Sequence, residues 1–204
     1  MGEKQIEVLL GVTGSIAAYK ALELVRLIRE ADWGVTVVMT RSATRLVGVD
    51  SFRTLTGRPV ALELFLRERP LTTTLQHIDL ASGADLIVVA PATANIIGKL
   101  ASGIGDDLLS TILLAVPREK VRTGRVCFAP AMNTNMWENP VVQGNVEKLK
   151  SLGYRFIPPG TGKLACGDTG TGRMASPEEI FAFLRATIQG LPELKGVSVL
   201  ITTG

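Results

Sequence analysis

Short apolar segments alternate with amphipathic segments along most of the chain. Runs rich in aliphatic and β-branched residues predict strands at 5–12, 35–39, 84–90, 125–129 and 154–157. Periodic apolar positions and helix-start signals predict helices at 16–31, 50–55, 93–101, 108–116, 138–152 and 176–189. We expect irregular loops at 58–74 and 158–174. The alternation predicts a three-layer α/β fold, with a mostly parallel sheet and helices on both faces.

The composition fits one globular domain and excludes several other classes. The chain has 204 residues, of which 46% are hydrophobic and 20% are charged, and this excludes an intrinsically disordered protein. Two cysteines, Cys127 and Cys166, are too few for a disulfide framework, so we expect a reducing, cytoplasmic setting. The single histidine, His77, excludes a multi-histidine zinc site, and we expect no metal.

The charge and hydropathy patterns argue against nucleic acid and membrane partners. The net charge is only +3, and the densest basic cluster, 118–125, has no interleaved aromatic residues. We expect that cluster to be a solvated loop. The most apolar window, 84–97, is interrupted by Pro91 and Asn95 and is shorter than the ~20 residues that span a bilayer. We therefore expect neither kind of partner.

Ligands of parallel α/β folds bind where strands end, which draws attention to two early loops. The sequence GVTGS at 11–15 follows the first predicted strand, and Ser15 can cap the next helix or bind a phosphate oxygen. Thr40, Arg41 and Ser42 follow the second strand with hydroxyls and a cation that suit a mononucleotide phosphate. The spacing differs from the dinucleotide-binding fingerprint. A phosphate site and an ordinary tight turn therefore remain alternatives.

Two later loops place amide side chains at the same predicted edge. In PATAN, Asn95 either caps a helix or offers a donor and an acceptor to a heteroaromatic ring. In PAMNTNMW, the methionines and the tryptophan suit a core. A buried Asn133 among them would still need a polar partner, which a ligand carboxylate could supply.

The remaining candidate groups are the cysteines and the histidine. Cys127 lies in a predicted strand and is expected to be inert. Cys166 lies in the glycine-rich segment 165–174, which can close over a site. Asp168 would keep its thiol protonated, which favours a proton donor over a nucleophile, although a surface cysteine without a role is the alternative. His77 is either structural or, since imidazole titrates near neutrality, catalytic.

Together these segments resemble the homo-oligomeric flavin-containing cysteine decarboxylases. The resemblance spans about residues 4–189 and depends on five segments in their order along the chain: GVTGSIAAYK, PATAN, SGIGDDLLS, PAMNTNMW and ACGDTGTGRM. It implies a flavodoxin-like or Rossmann-like decarboxylase domain over residues 1–190, with FMN as cofactor. It also implies a homotrimer or a dodecamer of trimers, with each site between subunits.

The resemblance implies roles for individual residues as well. The FMN phosphate is expected at Gly14, Ser15, Ile16, Thr40 and Ser42. The flavin ring and ribityl chain are expected at Thr93, Ala94, Asn95 and Ala131. The expected catalytic residues are His77, Asn133 and Cys166, and the expected substrate contacts are Met132, Asn133, Ala165 and Cys166. His77 and the FMN loops can then come from different chains.

The C-terminal sequence LKGVSVLITTG resembles the first strand of phosphopantothenate–cysteine ligase. We therefore expect 191–204 to be a linker and the first strand of a truncated ligase domain, in a chain that is the decarboxylase half of a bifunctional protein. That arrangement implies the substrate 4'-phosphopantothenoylcysteine, converted to 4'-phosphopantetheine in coenzyme A biosynthesis. Peptide cysteine decarboxylation and a non-catalytic regulatory flavoprotein remain alternatives.

A mechanism for such an enzyme follows from electron demand. Direct loss of CO2 from a cysteine carboxyl leaves a carbanion with no electron sink. Oxidation of the thiol to a thioaldehyde by FMN provides that sink, so CO2 can leave and an enethiolate remains. Return of hydride from the flavin and a proton from Cys166 then completes a reaction that needs no outside oxidant.

Overall fold

The computed structural model describes residues 5–63, 76–163 and 169–190, and its centre is a five-stranded parallel sheet. The strands of this sheet are β1 (Glu7–Val12), β2 (Gly34–Met39), β3 (Leu86–Ala92), β4 (Val126–Pro130) and β5 (Arg155–Phe156). Their order is β2-β1-β3-β4-β5, which is the flavodoxin-like order of doubly wound sheets. The predicted fold class is therefore confirmed.

Helices cover both faces of this sheet. They are α1 (Lys20–Glu30), α2 (Val49–Thr56), α3 (Gln76–Gly83), α4 (Ala94–Ser102), α5 (Leu108–Ala115), α6 (Arg118–Arg122), α7 (Thr134–Trp137), α8 (Pro140–Ser151) and α9 (Pro177–Gln189). Leu24, Phe52 and Ile180 bring α1, α2 and α9 into the core of one face. The other core receives α3, α4, α5 and α8. Every residue of β3 is buried, as expected for a strand covered on both sides.

The structure corrects the predicted irregular loop at 158–174. The described part of this segment forms an antiparallel hairpin of β6 (Gly160–Lys163) and β7 (Thr169–Arg173). Glycine and threonine alternate in these strands, so no apolar period marks them in the sequence. The other predicted loop, 58–74, is described only to residue 63, where Ala61 forms a bridge with Val38.

Two further predictions were wrong in detail. The predicted helix 138–152 begins only at Pro140, because Asn139 ends the preceding turn and its Oδ1 accepts a hydrogen bond from Val141 N at 2.9 Å. The basic cluster at 118–125 contains helix α6 rather than only a solvated loop. Lys120 of that helix donates hydrogen bonds to the carbonyls of Ala81 and Ser82 at the end of α3.

Helix α3, which contains His77, was not predicted at all. The predicted linker and ligase strand at 191–204 lie outside the described residues. Within the three described ranges, no helix combines the length and apolar character that crossing a bilayer requires.

Candidate active site

The loops after β1 and β2 touch at the carboxyl edge of the sheet. A Cβ atom on Gly14 would overlap the Cβ of Ser42, so only glycine allows this contact. Ser15 has extended backbone and begins the 3-10 helix Ile16–Tyr19, with its Oγ accepting a hydrogen bond from Ala17 N at 3.4 Å. Ser15 is therefore a helix cap in this structure. Ile16 beside it is 65% exposed and presents an apolar side chain at this edge.

Hydroxyl groups from the second loop lie at the same place. Thr40 is held by its backbone N–H, which donates to Val12 O at 3.0 Å. Its Oγ1 accepts a long hydrogen bond from Ala43 N at 3.4 Å. Ser42 is exposed and its side chain makes no capping hydrogen bond to the 3-10 helix that follows. Thr40 and Ser42 therefore lie beside the loop that follows β1.

Thr13 joins the loop after β1 to the loop after β3, and it is not among the predicted site residues. Its side chain is buried, and Oγ1 donates to Pro91 O at 2.7 Å while accepting from Thr93 N at 3.1 Å. The available signal was a hydroxyl residue directly after β1, which lies at the switch point of the sheet between β2 and β3. This side chain sets the spacing between the loops that the sequence assigned to the flavin.

The third and fourth loops are adjacent as well. Thr93 is the N-cap residue of α4, so the capping alternative for Asn95 is wrong. Asn95 is exposed in the first turn, next to the half-buried Ala94. Ala131 N donates to Ala92 O at 3.0 Å, which brings the loop after β4 beside the start of α4.

The segment Met132–Asn133 connects this edge to the hairpin. Asn133 is half-buried and is the N-cap of α7, with Oδ1 accepting from Asn135 N at 2.8 Å. The amide thus has a polar partner within its own chain. Met132 N donates to Gly172 O at 3.0 Å, so the segment is bonded directly to β7. Ala165 and Cys166, expected in the same site, lie outside the described residues.

His77 is the predicted site residue that the structure does not join to these loops. It lies in the first turn of α3, and the other end of that helix lies beside Glu7 and Val8 at the amino edge of the sheet. Within the described residues, no hydrogen bond or ion pair connects His77 to the four loops. The imidazole is half-buried.

The segment SGIGDDLLS, which is part of the family resemblance, connects helix α4 to helix α5. Lys99 of α4 forms ion pairs with Asp106 at 2.6 Å and Asp107 at 2.7 Å. Burial lowers the pKa of Lys99, but the hydrogen bonds that its ammonium donates to both aspartates outweigh burial and leave that pKa raised. Asp107 also caps α5, its Oδ1 accepting from Ser110 N at 2.8 Å. The motif therefore fastens α4 to α5.

The other ionisable groups of the described residues offer neither a nucleophilic thiol nor a metal-binding cluster. Cys127 is buried in β4, and burial raises the pKa of its thiol to about 12, so it is an inert core residue as predicted. Across the described ranges, no group of three or more histidine, cysteine, aspartate or glutamate side chains could hold a metal ion.

Comparison with known proteins identifies the family. The model of the flavoprotein family matches residues 2–189. The chain belongs to the flavoprotein family. It is 44% identical over 199 residues to the coenzyme A biosynthesis bifunctional protein CoaBC of Bacillus subtilis, a match that covers 97% of this chain and 47% of that protein. CoaBC of Haemophilus influenzae is 40% identical with the same coverage. The chain spans about half the length of these curated relatives.

Solved structures agree with this assignment. A cysteine-to-serine mutant of PPC decarboxylase complexed with pantothenoylaminoethenethiol has a TM-score of 0.80 and 32% identity, covering 91% of this chain and 100% of that one. The FMN binding protein AtHal3 has a TM-score of 0.78 and 33% identity, covering 93% and 100%. These matches confirm the resemblance to flavin-containing cysteine decarboxylases, and within them to phosphopantothenoylcysteine (PPC) decarboxylases. A flavin is therefore the class of cofactor.

Proposed function

We propose that this chain catalyses the FMN-dependent decarboxylation of 4'-phosphopantothenoylcysteine to 4'-phosphopantetheine. The observation that carries the proposal is the junction at the carboxyl edge of the sheet. There, just before Asn133, Ala131 N donates to Ala92 O of β3 and Met132 N donates to Gly172 O of β7. Strand β7 follows Cys166 by three residues in the sequence. The names of the CoaBC relatives and of the PPC decarboxylase structure support the same reaction.

We assign FMN to the loops after β1, β2 and β3. Contact between Gly14 and Ser42 gathers hydroxyls and backbone N–H groups at the start of a helix, a donor set that fits a phosphate monoester. Thr93, Ala94, Asn95 and Ala131 would then face the ring and the ribityl chain. When bound, FMN supplies a reversible two-electron acceptor for the carbon that bears the substrate thiol.

The roles of the chain's own groups are those that the family resemblance implies. The resemblance assigns the Asn133 side chain to the substrate carboxylate, and Asn135 N holds that side chain in place by donating to its Oδ1 at 2.8 Å. Met132 and Ala165 would exclude water from the cysteine end of the substrate. After CO2 leaves, the Cys166 thiol would give its proton to the substrate carbon.

His77 belongs to the proposal as the acid or base supplied from a second chain. In the homotrimer or dodecamer of trimers that we expect, the site would be completed between subunits. We further propose a cytoplasmic protein whose decarboxylase domain covers residues 1–190 and is followed by a ligase domain. The half-length coverage of the CoaBC relatives supports that downstream domain.

The test begins with an absorption spectrum of the purified protein, followed by anaerobic addition of 4'-phosphopantothenoylcysteine. The expected result is a flavin band and the appearance of CO2 and 4'-phosphopantetheine. Bound flavin without turnover, together with decarboxylation of a peptide ending in cysteine, would replace the proposal by the peptide alternative. Failure to bind FMN after reconstitution would contradict the site.

A Cys166→Ser variant tests the proton donor. We expect it to bleach the flavin and accumulate an enethiol product, because decarboxylation precedes the proton that the thiol supplies. The enethiol held by the cysteine-to-serine PPC decarboxylase supports this expectation. Cys127→Ala is the matched control and should retain turnover, since Cys127 is buried in the core. Full turnover by Cys166→Ser would remove Cys166 from the proposed role.

A further inference from the structure

Strand β7 lies directly on the segment that contains Asn133. Met132 N donates a hydrogen bond to Gly172 O, and the backbones of the two segments are in close contact around it. A Cβ on Gly172 would overlap the Met132 carbonyl oxygen, and its φ of +149° already disfavours any side chain. The backbone of β7 therefore needs glycine here in order to approach.

Gly170 makes a second close approach of a different kind. A Cβ on Gly170 would overlap Thr134 Oγ1 and would lie only 3.1 Å from both Cβ and Cγ2 of Thr134. The φ of Gly170 is not in the left-handed region, so the neighbouring side chain alone forbids a larger residue. On the other strand of the hairpin, a Cβ added to Gly160 would meet no atom of the described residues within 4 Å, so Gly160 provides a matched control.

The Thr134 side chain fills the space that Gly170 leaves. Its Oγ1 is buried, and within the described part of the chain it has no hydrogen-bond partner. The contact is therefore steric. Removing the side chain costs no hydrogen bond inside the described structure, so a substitution at Thr134 changes shape without breaking a polar contact.

We propose that Thr134 and Gly170 form a steric contact that seats β7 on the Asn133 segment, which makes both of them positioning residues for the decarboxylation. The inference rests on the proposed function for its catalytic consequence, but the contact itself can be tested separately. Both segments bear on the reaction, since Asn133 would hold the carboxylate and β7 follows Cys166. Displacement of one against the other by about 1 Å can cost on the order of 100-fold in rate.

The experiment compares four variants of the flavin-loaded protein: Gly170→Ala, Thr134→Ala, the double variant, and Gly160→Ala. With 4'-phosphopantothenoylcysteine, we expect Gly170→Ala to lower kcat by about tenfold or more while the protein stays folded at the assay temperature, because the hairpin lies outside both cores. Thr134→Ala in the double variant should recover most of that loss. Gly160→Ala should behave as wild type.

Thiol labelling provides a readout that does not depend on turnover. The chain has two cysteines, and we expect the buried Cys127 to resist labelling, so the rate of maleimide labelling in the absence of substrate would report Cys166. We expect Gly170→Ala to change this rate several-fold and the double variant to restore it. Thr134→Leu enlarges the other residue of the contact and should change the labelling rate in the same way. This variant tests the contact if Gly170→Ala does not fold.

Independent effects would overturn the inference. If the double variant shows simply the product of the two single effects, or if Gly170→Ala and Thr134→Leu label and turn over like Gly160→Ala, then the contact does not position β7. If the wild-type protein does not decarboxylate the substrate but the labelling pattern appears, the proposed function fails and the contact stands.

Discussion

Replacing Thr13 by valine would remove one oxygen atom from the connection between the first and third loops. The side chain keeps nearly the same volume, so packing changes little. Two hydrogen bonds are lost, the one donated to Pro91 O at 2.7 Å and the one accepted from Thr93 N at 3.1 Å. Because Thr13 and Pro91 are both buried, water cannot replace the lost hydroxyl at the Pro91 carbonyl.

The expected magnitude follows from these two contacts. Each hydrogen bond contributes about 1 kcal/mol net, and a buried group left unpaired costs about 1–3 kcal/mol. Only the Pro91 carbonyl is fully buried, since Thr93 is half-exposed, so we expect Thr13→Val to destabilise the fold by about 2–4 kcal/mol. For a chain of this size, that corresponds to a fall in the thermal midpoint of roughly 4–16 °C.

The assay is thermal unfolding followed by circular dichroism at fixed protein and flavin concentrations. Thr187→Val is the matched control, because it also replaces a threonine hydroxyl by a methyl group. The Thr187 side chain is half-buried, and its Oγ1 donates a hydrogen bond of 2.9 Å to Phe183 O within α9, a carbonyl that the helix backbone already pairs. Its midpoint should change little. If Thr13→Val unfolds at the temperature of this control, the Thr13 hydrogen bonds do not hold the loops together. A fall in flavin affinity should accompany the loss of stability.

Three further predictions concern single side chains. Gly14→Ala should yield protein that purifies without flavin, because the new Cβ overlaps Ser42. Adding Ser42→Gly to that variant should restore part of the flavin absorbance. Flavin retained by Gly14→Ala alone would argue against the close contact. The hydrogen bond that Arg58 donates lowers the pKa of the Glu7 carboxyl in the folded protein. At a pH above the unfolded-state pKa of that carboxyl, Glu7→Gln should therefore destabilise the fold by up to about 1 kcal/mol. This difference should vanish as the pH falls through the lowered folded-state pKa. A difference that persists in acid would refute that assignment. Cys127 should resist maleimide at about pH 8 until the protein is unfolded in urea, since burial raises its pKa to about 12; labelling of the native protein would contradict this.

Local chemistry explains why several elements were predictable. The start of α9 combines Ser176 as cap, Pro177 in the first turn and Glu179, whose carboxylate accepts from Ser176 N at 2.7 Å. Gly57 ends α2 in the left-handed conformation that glycine favours. In each case the deciding atoms lie within a few positions of one another, so the sequence contains the information.

Other features depend on partners far apart in the chain. Lys120 donates to carbonyls at the end of α3 and just after it, more than thirty-five residues away, so the basic cluster packs against α3 instead of forming a solvated loop. The hairpin β6–β7 has no apolar period, and its place is set by the contacts of Gly170 and Gly172 with the Asn133 segment. Asn133 is also satisfied as a helix cap, which the sequence could not distinguish from an unpaired amide.

By itself the sequence determined the alternation of buried strands and helices, because strand and helix periods are local, and that alternation predicts a parallel α/β sheet. It also predicted that the ligand loops lie at one edge, because parallel strands all end at the same side of the sheet. Only the tertiary structure decided which loops touch. Thr13 meets Pro91 and Thr93 across 78 and 80 residues, and Gly14 meets Ser42 only because β1 and β2 are neighbours in the sheet. Strand order and close packing thus brought the loops after β1, β2, β3 and β4 together at one edge, since both depend on contacts between segments that are distant along the chain.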